Sequence, residues 1–187
     1  MFYPLKMALS SPYTGTFLFW AIGGGLLGHV ARCVFALHRN RLLAPERELV
    51  WTAFCAYAAG VLAVLLEPSG GMGLVNLIPF RTVWEAVCGV GSTRMVLWFD
   101  LLVFVPLGAF LPMLFQRVRT WSAVLGTAAG LAAVVELVQY FLGRSADIDD
   151  VLLRLVGCMA GYAIYQAVRR HWKGKKTVES RFMPEAN

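Results

Sequence analysis

Five continuous apolar runs, at about 16–37, 49–66, 95–115, 121–142 and 150–168, constrain this chain more than any other feature. Each is near the ~20 residues an α-helix needs to cross a hydrocarbon core of about 30 Å. The runs are unbroken rather than alternating, so they read as helices and not as strands of a barrel. The 187 residues are 58% apolar and only 15% charged, where a soluble domain carries roughly 25% charged residues. The expected fold is an all-α polytopic membrane bundle of about five transmembrane helices. The first run follows one lysine, Lys6, and outlasts a signal peptide, so it is read as a span.

Short loops set the expected orientation. Arg39, Arg41, Arg47, Arg117, Arg119, Arg169, Arg170, Lys173, Lys175, Lys176 and Arg181 fall on one side of a five-span arrangement. Lys6, Arg81, Arg94 and Arg144 fall on the other. The excess of cations marks the first side as cytoplasmic, giving an N-terminus out and a C-terminus in. It also accounts for the net charge of +6 without nucleic acid, since no basic patch is interleaved with aromatics. The polar tail after Trp172 would lie near anionic headgroups. Cys33, Cys55, Cys88 and Cys158 lack metal or redox spacing and read as small buried residues.

Small-residue pairs at Gly24/Gly28, Gly126/Gly130 and Gly157/Gly161 each clear one helix face, most simply for packing within the bundle. Between the second and third runs, Phe80, Val83, Trp84 and Val87 recur at helical spacing. They predict a short interfacial or re-entrant helix with Pro79 in its first turn.

The chemistry concentrates from Glu136 to Tyr162. Ionisable groups near membrane depth are costly, so they face a bundle interior or a polar cavity. Glu136 and Gln139 share a helical face, as do Asp147, Asp150 and Arg154 on the next helix, and a tight loop with Gly143 and Arg144 joins the two. The aspartates have two open readings. Asp147 can cap the fifth helix, with Asp149 and Asp150 in its first turn and Arg144 or Arg154 as ion partners. Alternatively they belong to a ligand site. The capping reading does not explain Glu136, a carboxyl inside a span that needs a partner or a proton, and a functional or site-shaping role is expected for it. Asp100 and Arg154 sit at similar depth and are expected to form a cross-helix ion pair. Arg32 is expected to snorkel to the interface. No nucleophile elbow, zinc-helix or phosphate-loop motif is present. The three histidines are scattered, and the acids have arginine partners enough that no metal or other cofactor is expected.

Three blocks carry a resemblance. They are Asn76-Leu77-Ile78-Pro79-Phe80; Phe104 through Pro112; and Glu136, Gln139, Arg144, Asp147, Asp149, Asp150 with Gly157, Gly161 and Tyr162. In this order the chain resembles the VanZ-like family of bacterial membrane proteins. Asp100 and Arg154 depart from it, since the family has Asn at both. The resemblance implies a domain at 49–168, a variable segment with the first helix at 1–48, and a basic tail at 169–187. It also implies the bacterial cytoplasmic membrane and a link to resistance against teicoplanin and related lipoglycopeptides, with no established catalytic mechanism.

The expected function is an outward polar pocket that binds an amphiphile: a lipid-linked envelope precursor, a membrane lipid or a lipoglycopeptide. Arg144 and Arg81 would hold an anionic group. Glu136, Gln139 and Asp150 would orient them or bind hydroxyl and amide groups, with Asp147 and Asp149 in the same site and Asn76 and Phe80 at the rim. The alternatives are a membrane enzyme acting on a lipid-linked substrate, with Glu136 or Asp150 as general base, and a small transporter.

Overall fold

The computed structural model describes residues 12–39, 44–68, 74–89 and 93–182, with side chains at 14–39, 44–68, 74–89 and 97–172. Lys6, Arg41, Arg94, Lys173, Lys175, Lys176 and Arg181, which entered the charge count, have side chains outside that set. The elements are α1 (Pro12–His38), α2 (Pro45–Leu65), β1 (Val75–Asn76), α3 (Arg81–Val87), α4 (Thr93–Val103), α5 (Val105–Leu114), α6 (Trp121–Phe141), β2 (Ala146–Asp147) and α7 (Ile148–Phe182). Five segments are long and apolar enough to cross a membrane: Thr14–His38, Pro45–Leu65, Leu97–Leu114, Trp121–Phe141 and Ile148–Trp172. The chain is an all-α membrane bundle, and its large exposed apolar side chains, such as Phe19, Leu27, Leu37 and Phe141, suit a lipid surround.

Two compact units divide the chain. The first takes residues up to Ile78 together with Leu131–Ile148, and the second takes Pro79–Gly130 with the residues from Asp149 onward. In the first unit α1 packs on α2 through small residues. A β-carbon at Gly24 would strike Ala59, and one at Gly28 would strike Cys55. Arg32 reaches a carboxylate in the first turn of α2. Its Nε donates to Glu48 Oε2 at 2.6 Å and its Nη2 to Oε1 at 2.5 Å, while its guanidinium lies 5.0 Å from the Trp51 ring centroid. A short connection between antiparallel helices brings these positions together, and a bidentate pair neutralises a carboxylate that the span would otherwise desolvate.

In the second unit the third span is interrupted at Phe104. Pro106 has no N–H to give Leu102, so the ladder breaks there. It resumes with Gly108 N–H donating to Phe104 O at 3.3 Å. The broken span meets α7 backbone to backbone: added β-carbons at Gly157 and Gly161 would run into the carbonyls of Leu101 and Val105, and one at Gly108 into that of Cys158. Only glycine permits that approach, which is how small residues gain van der Waals contact between membrane helices. At the far end, Tyr162 Oη donates to Arg119 O, and Arg119 Nε donates to Pro112 O at 3.2 Å. The Gly126/Gly130 pair differs, since added β-carbons there meet nothing within 4 Å among the described residues. Past the expected end of the fifth span, α7 continues as helix to Phe182.

Candidate functional site

The nine ligand-site candidates fall into both units. Asn76, Glu136, Gln139, Arg144 and Asp147 belong to the first, and Phe80, Arg81, Asp149 and Asp150 to the second.

In the first unit, α6 ends in a left-handed turn. Gly143 has φ 79°, its N–H donates to Tyr140 O at 3.1 Å, and the Arg144 N–H reaches back to Gln139 O at 2.9 Å. This paired C-cap needs a residue without a β-carbon at its left-handed position, and it satisfies carbonyls that the helix leaves orphaned. The chain then reverses into β2, which pairs in parallel with β1 in the register Val75↔Ala146 and Asn76↔Asp147. Ala146 N–H donates to Leu74 O at 2.8 Å. Side chains reinforce this bridge. Asn76 Nδ2 donates to Asp147 Oδ2 at 3.1 Å, and Asn76 Oδ1 accepts the Ile78 N–H at 3.3 Å. Glu136 is buried and its Oε2 accepts the Asp147 N–H at 3.0 Å. Asn76, Asp147 and Glu136 thus form one polar string, in which Glu136 holds the start of the next helix.

Gln139 is 2% exposed, and its Nε2 donates to Leu65 O at 2.8 Å. Leu65 is the last residue of α2, whose final carbonyls lack intrahelical donors. The amide therefore closes a helix end. Arg144 is half-buried. The sequence offered several acids as partners, yet among the described residues its guanidinium makes no hydrogen bond or ion pair.

In the second unit, Asp149 is 1% exposed, and its carboxylate accepts the backbone N–H groups of Phe80 at 2.6 Å, Thr82 at 2.8 Å and Val83 at 3.3 Å. The sequence reading placed Asp149 in the first turn of its own helix. It does lie there, and it also caps α3 from 69 residues away in sequence. A borrowed cap is needed because Phe80, the N-cap residue of α3, brings no side-chain acceptor. Phe80 is itself left-handed at φ 63°, an uncommon conformation for a bulky residue. Pro79 therefore precedes the helix instead of entering its first turn. Phe80, Trp84 and Val87 are exposed apolar residues of this segment. Arg81 pairs with Glu85 one turn on, Nε to Oε1 at 3.1 Å, on the surface.

Deeper in this unit, Arg154 Nε donates to Asp100 Oδ1 at 3.0 Å, with the two residues 1% and 3% exposed. Arg154 Nη2 lies 3.9 Å from Asp150 Oδ2, and the guanidinium sits 5.8 Å from the Phe104 ring centroid. A buried arginine with a carboxylate at hydrogen-bond distance, a second acid nearby and an aromatic face holds its charge without water. Among the described residues no cluster of three or more His, Cys, Asp or Glu side chains could hold a metal ion.

Sequence reasoning missed the Arg32–Glu48 pair and the Tyr162–Arg119 hook. Glu48 at the entry of an apolar run was a signal for the first; a backbone acceptor left none for the second. No curated protein and no solved structure matches the chain. A family model described as VanZ/LLP1 matches residues 49–169, which include the broken span and both polar clusters. The chain belongs to the VanZ-like family.

Proposed function

We propose that this VanZ-like protein binds the anionic headgroup of an amphiphile of the cell envelope, a membrane lipid, a lipid-linked precursor or a lipoglycopeptide, and that Arg144 is the cation that holds it. One observation carries the reading. Arg154 and Asp100 are hydrogen-bonded to each other, Arg81 is paired with Glu85, and Asp149 is bonded to α3, whereas Arg144 has no side-chain partner among the described residues. A guanidinium left over at a fixed turn presents a planar fork suited to phosphate or carboxylate. The Gly143 turn fixes its origin, and the β1–β2 bridge fixes the chain that follows. Asn76, Glu136 and Asp147 hold that frame, so they are positioning residues. The basic loops favour an orientation in which Arg144 faces outward across a bacterial cytoplasmic membrane. The family resemblance supports teicoplanin-type antibiotics as one occupant.

The test is surface accumulation of fluorescent teicoplanin on a susceptible Gram-positive host expressing the chain, with fluorescent vancomycin alongside. Reduced teicoplanin labelling, restored by Arg144→Ala at equal membrane expression, is expected. Labelling equal to the empty vector would overturn the antibiotic link. A reduction that survives Arg144→Ala would overturn the role of Arg144.

A further inference from the structure

The far end of the second unit gathers cations that take no part in the Arg144 reading. Arg117 and Arg119 lie in the loop between Leu114, where the third span ends, and Trp121, where the fourth begins. Arg169 and Arg170 lie in the last turn of the span that ends at Trp172. One set of contacts brings the loop to the helix. The Tyr162 hydroxyl donates to Arg119 O, Gln166 Nε2 donates to that hydroxyl at 2.6 Å, and the Trp121 ring stands edge-on to Tyr162 with centroids 4.6 Å apart. Arg169 and Arg170 follow Gln166 by three and four residues, so they stand one turn beyond the hook on its face of α7. No acid lies between Asp100 and Glu136, or between Asp150 and Glu179, to offset these charges. Asp149 and Asp150 open α7 at its opposite end. Among the described residues none of the four arginines forms an ion pair, and Arg117, Arg119 and Arg170 are exposed.

Depth identifies the partner. Trp121 and Trp172 are exposed at the ends of their spans, where tryptophan marks the headgroup level of a bilayer. Leu125, one turn inward from Trp121, is exposed, as are Ile164 and Val168 inward from Trp172. Guanidinium groups at phosphate depth, above lipid-facing side chains, complement a molecule with an anionic head and apolar tails. We infer that the Arg117–Arg119 loop and the Arg169–Arg170 turn together hold the headgroup of an anionic phospholipid, in the leaflet at the Trp172 end of the fifth span. Each cation near the headgroup plane favours an anionic over a zwitterionic lipid by about fivefold.

Native mass spectrometry of the full chain in detergent tests this, with dioleoylphosphatidylglycerol and dioleoylphosphatidylcholine as probes. The titrations are repeated in Arg144→Ala, so that lipid held at Arg144 is not counted. The unmodified chain should retain phosphatidylglycerol in preference to phosphatidylcholine. Arg117→Gln and Arg170→Gln should each lower that preference by about fivefold, and the two together by about 25-fold. Both side chains are exposed, and the single changes carry the test if the double variant does not fold. Arg39→Gln with Arg47→Gln removes the same charge from the first unit and should leave the preference in place. Equal retention of the two lipids by the unmodified chain would overturn the inference. A loss as large in the Arg39 and Arg47 variant would do so too, because net charge alone would then select the lipid. A silent change at either Arg117 or Arg170 would overturn the shared site.

Discussion

Asp149→Ala removes a carboxylate that accepts three backbone N–H groups, two of them at 2.6 and 2.8 Å. Hydrogen bonds to a charged acceptor contribute about 1.5–3 kcal/mol each, and a buried donor left unpaired costs about 1–3 kcal/mol. The third bond, at 3.3 Å, is weaker, and neighbouring bonds do not add fully. The change should therefore destabilise the 79–88 segment by about 3–5 kcal/mol, above the ~1 kcal/mol typical of a lost N-cap. Even about 3 kcal/mol shifts a local opening equilibrium on the order of 100-fold. Hydrogen exchange of the full chain in lipid nanodiscs reads this directly, because the α3 amides should lose protection while those of α1 and α2 keep theirs. Asp149→Asn retains one acceptor oxygen and should lose about half as much. Asp150→Asn, whose carboxylate is 3.9 Å from Arg154, should leave α3 protection unchanged. If Asp149→Ala leaves the α3 amides as protected as before, the borrowed cap does not hold the segment.

Breaking the buried pair at one end should be worse than neutralising both. Asp100→Asn or Arg154→Asn alone should each cost about 3–5 kcal/mol, while the double change to Asn at both positions should recover most of it in thermal unfolding in detergent; a double no better than the worse single would refute the pairing. Gly161→Ala, whose β-carbon meets the Val105 carbonyl, should cost about 1–3 kcal/mol or more, whereas Gly126→Ala, with nothing within 4 Å among the described residues, should gain up to about 1 kcal/mol from helix propensity, both read as midpoint shifts. Gly143→Ala places a β-carbon at φ 79° and should weaken the turn by about 1 kcal/mol, which would show as faster exchange at 142–147.

The five spans were legible because an uninterrupted apolar run of that length has few other fates. The interruption at Phe104 was less so. Pro106 was plain in the sequence, but a proline near a helix start and a proline within a helix look alike until the hydrogen-bond ladder is traced. Gly157 and Gly161 announced a packing face without saying that their partners are the carbonyls of Leu101 and Val105, which depends on register. Asp100 and Arg154 could be paired on paper since both are charged at similar depth. Gln139 and Asp149 could not be assigned, because their acceptor and donors are backbone atoms 74 and 69 residues away. Backbone groups carry no sequence signature.

That distinction bears on how polar residues in a membrane domain should be read. A helix end away from water must have its orphan donors and acceptors satisfied by the protein itself. Here Gln139 serves the last carbonyl of α2, Asp149 the first amides of α3, Glu136 the amide just before α7, and Arg119 a carbonyl of α5. Each serves a break in helical structure, and those breaks are what the short α3 segment and the tight loop require. The polar cluster is thus in large part the cost of irregular backbone, and density of charge alone would have overstated its chemistry. Subtracting the groups so engaged leaves Arg144, fixed by Gly143 and matched to no acid among the described residues. Substituting it should alter binding while leaving unfolding within about 0.5 kcal/mol of the unmodified chain, as for a surface residue without structural partners. A larger loss on Arg144→Ala would place this arginine with the structural set instead.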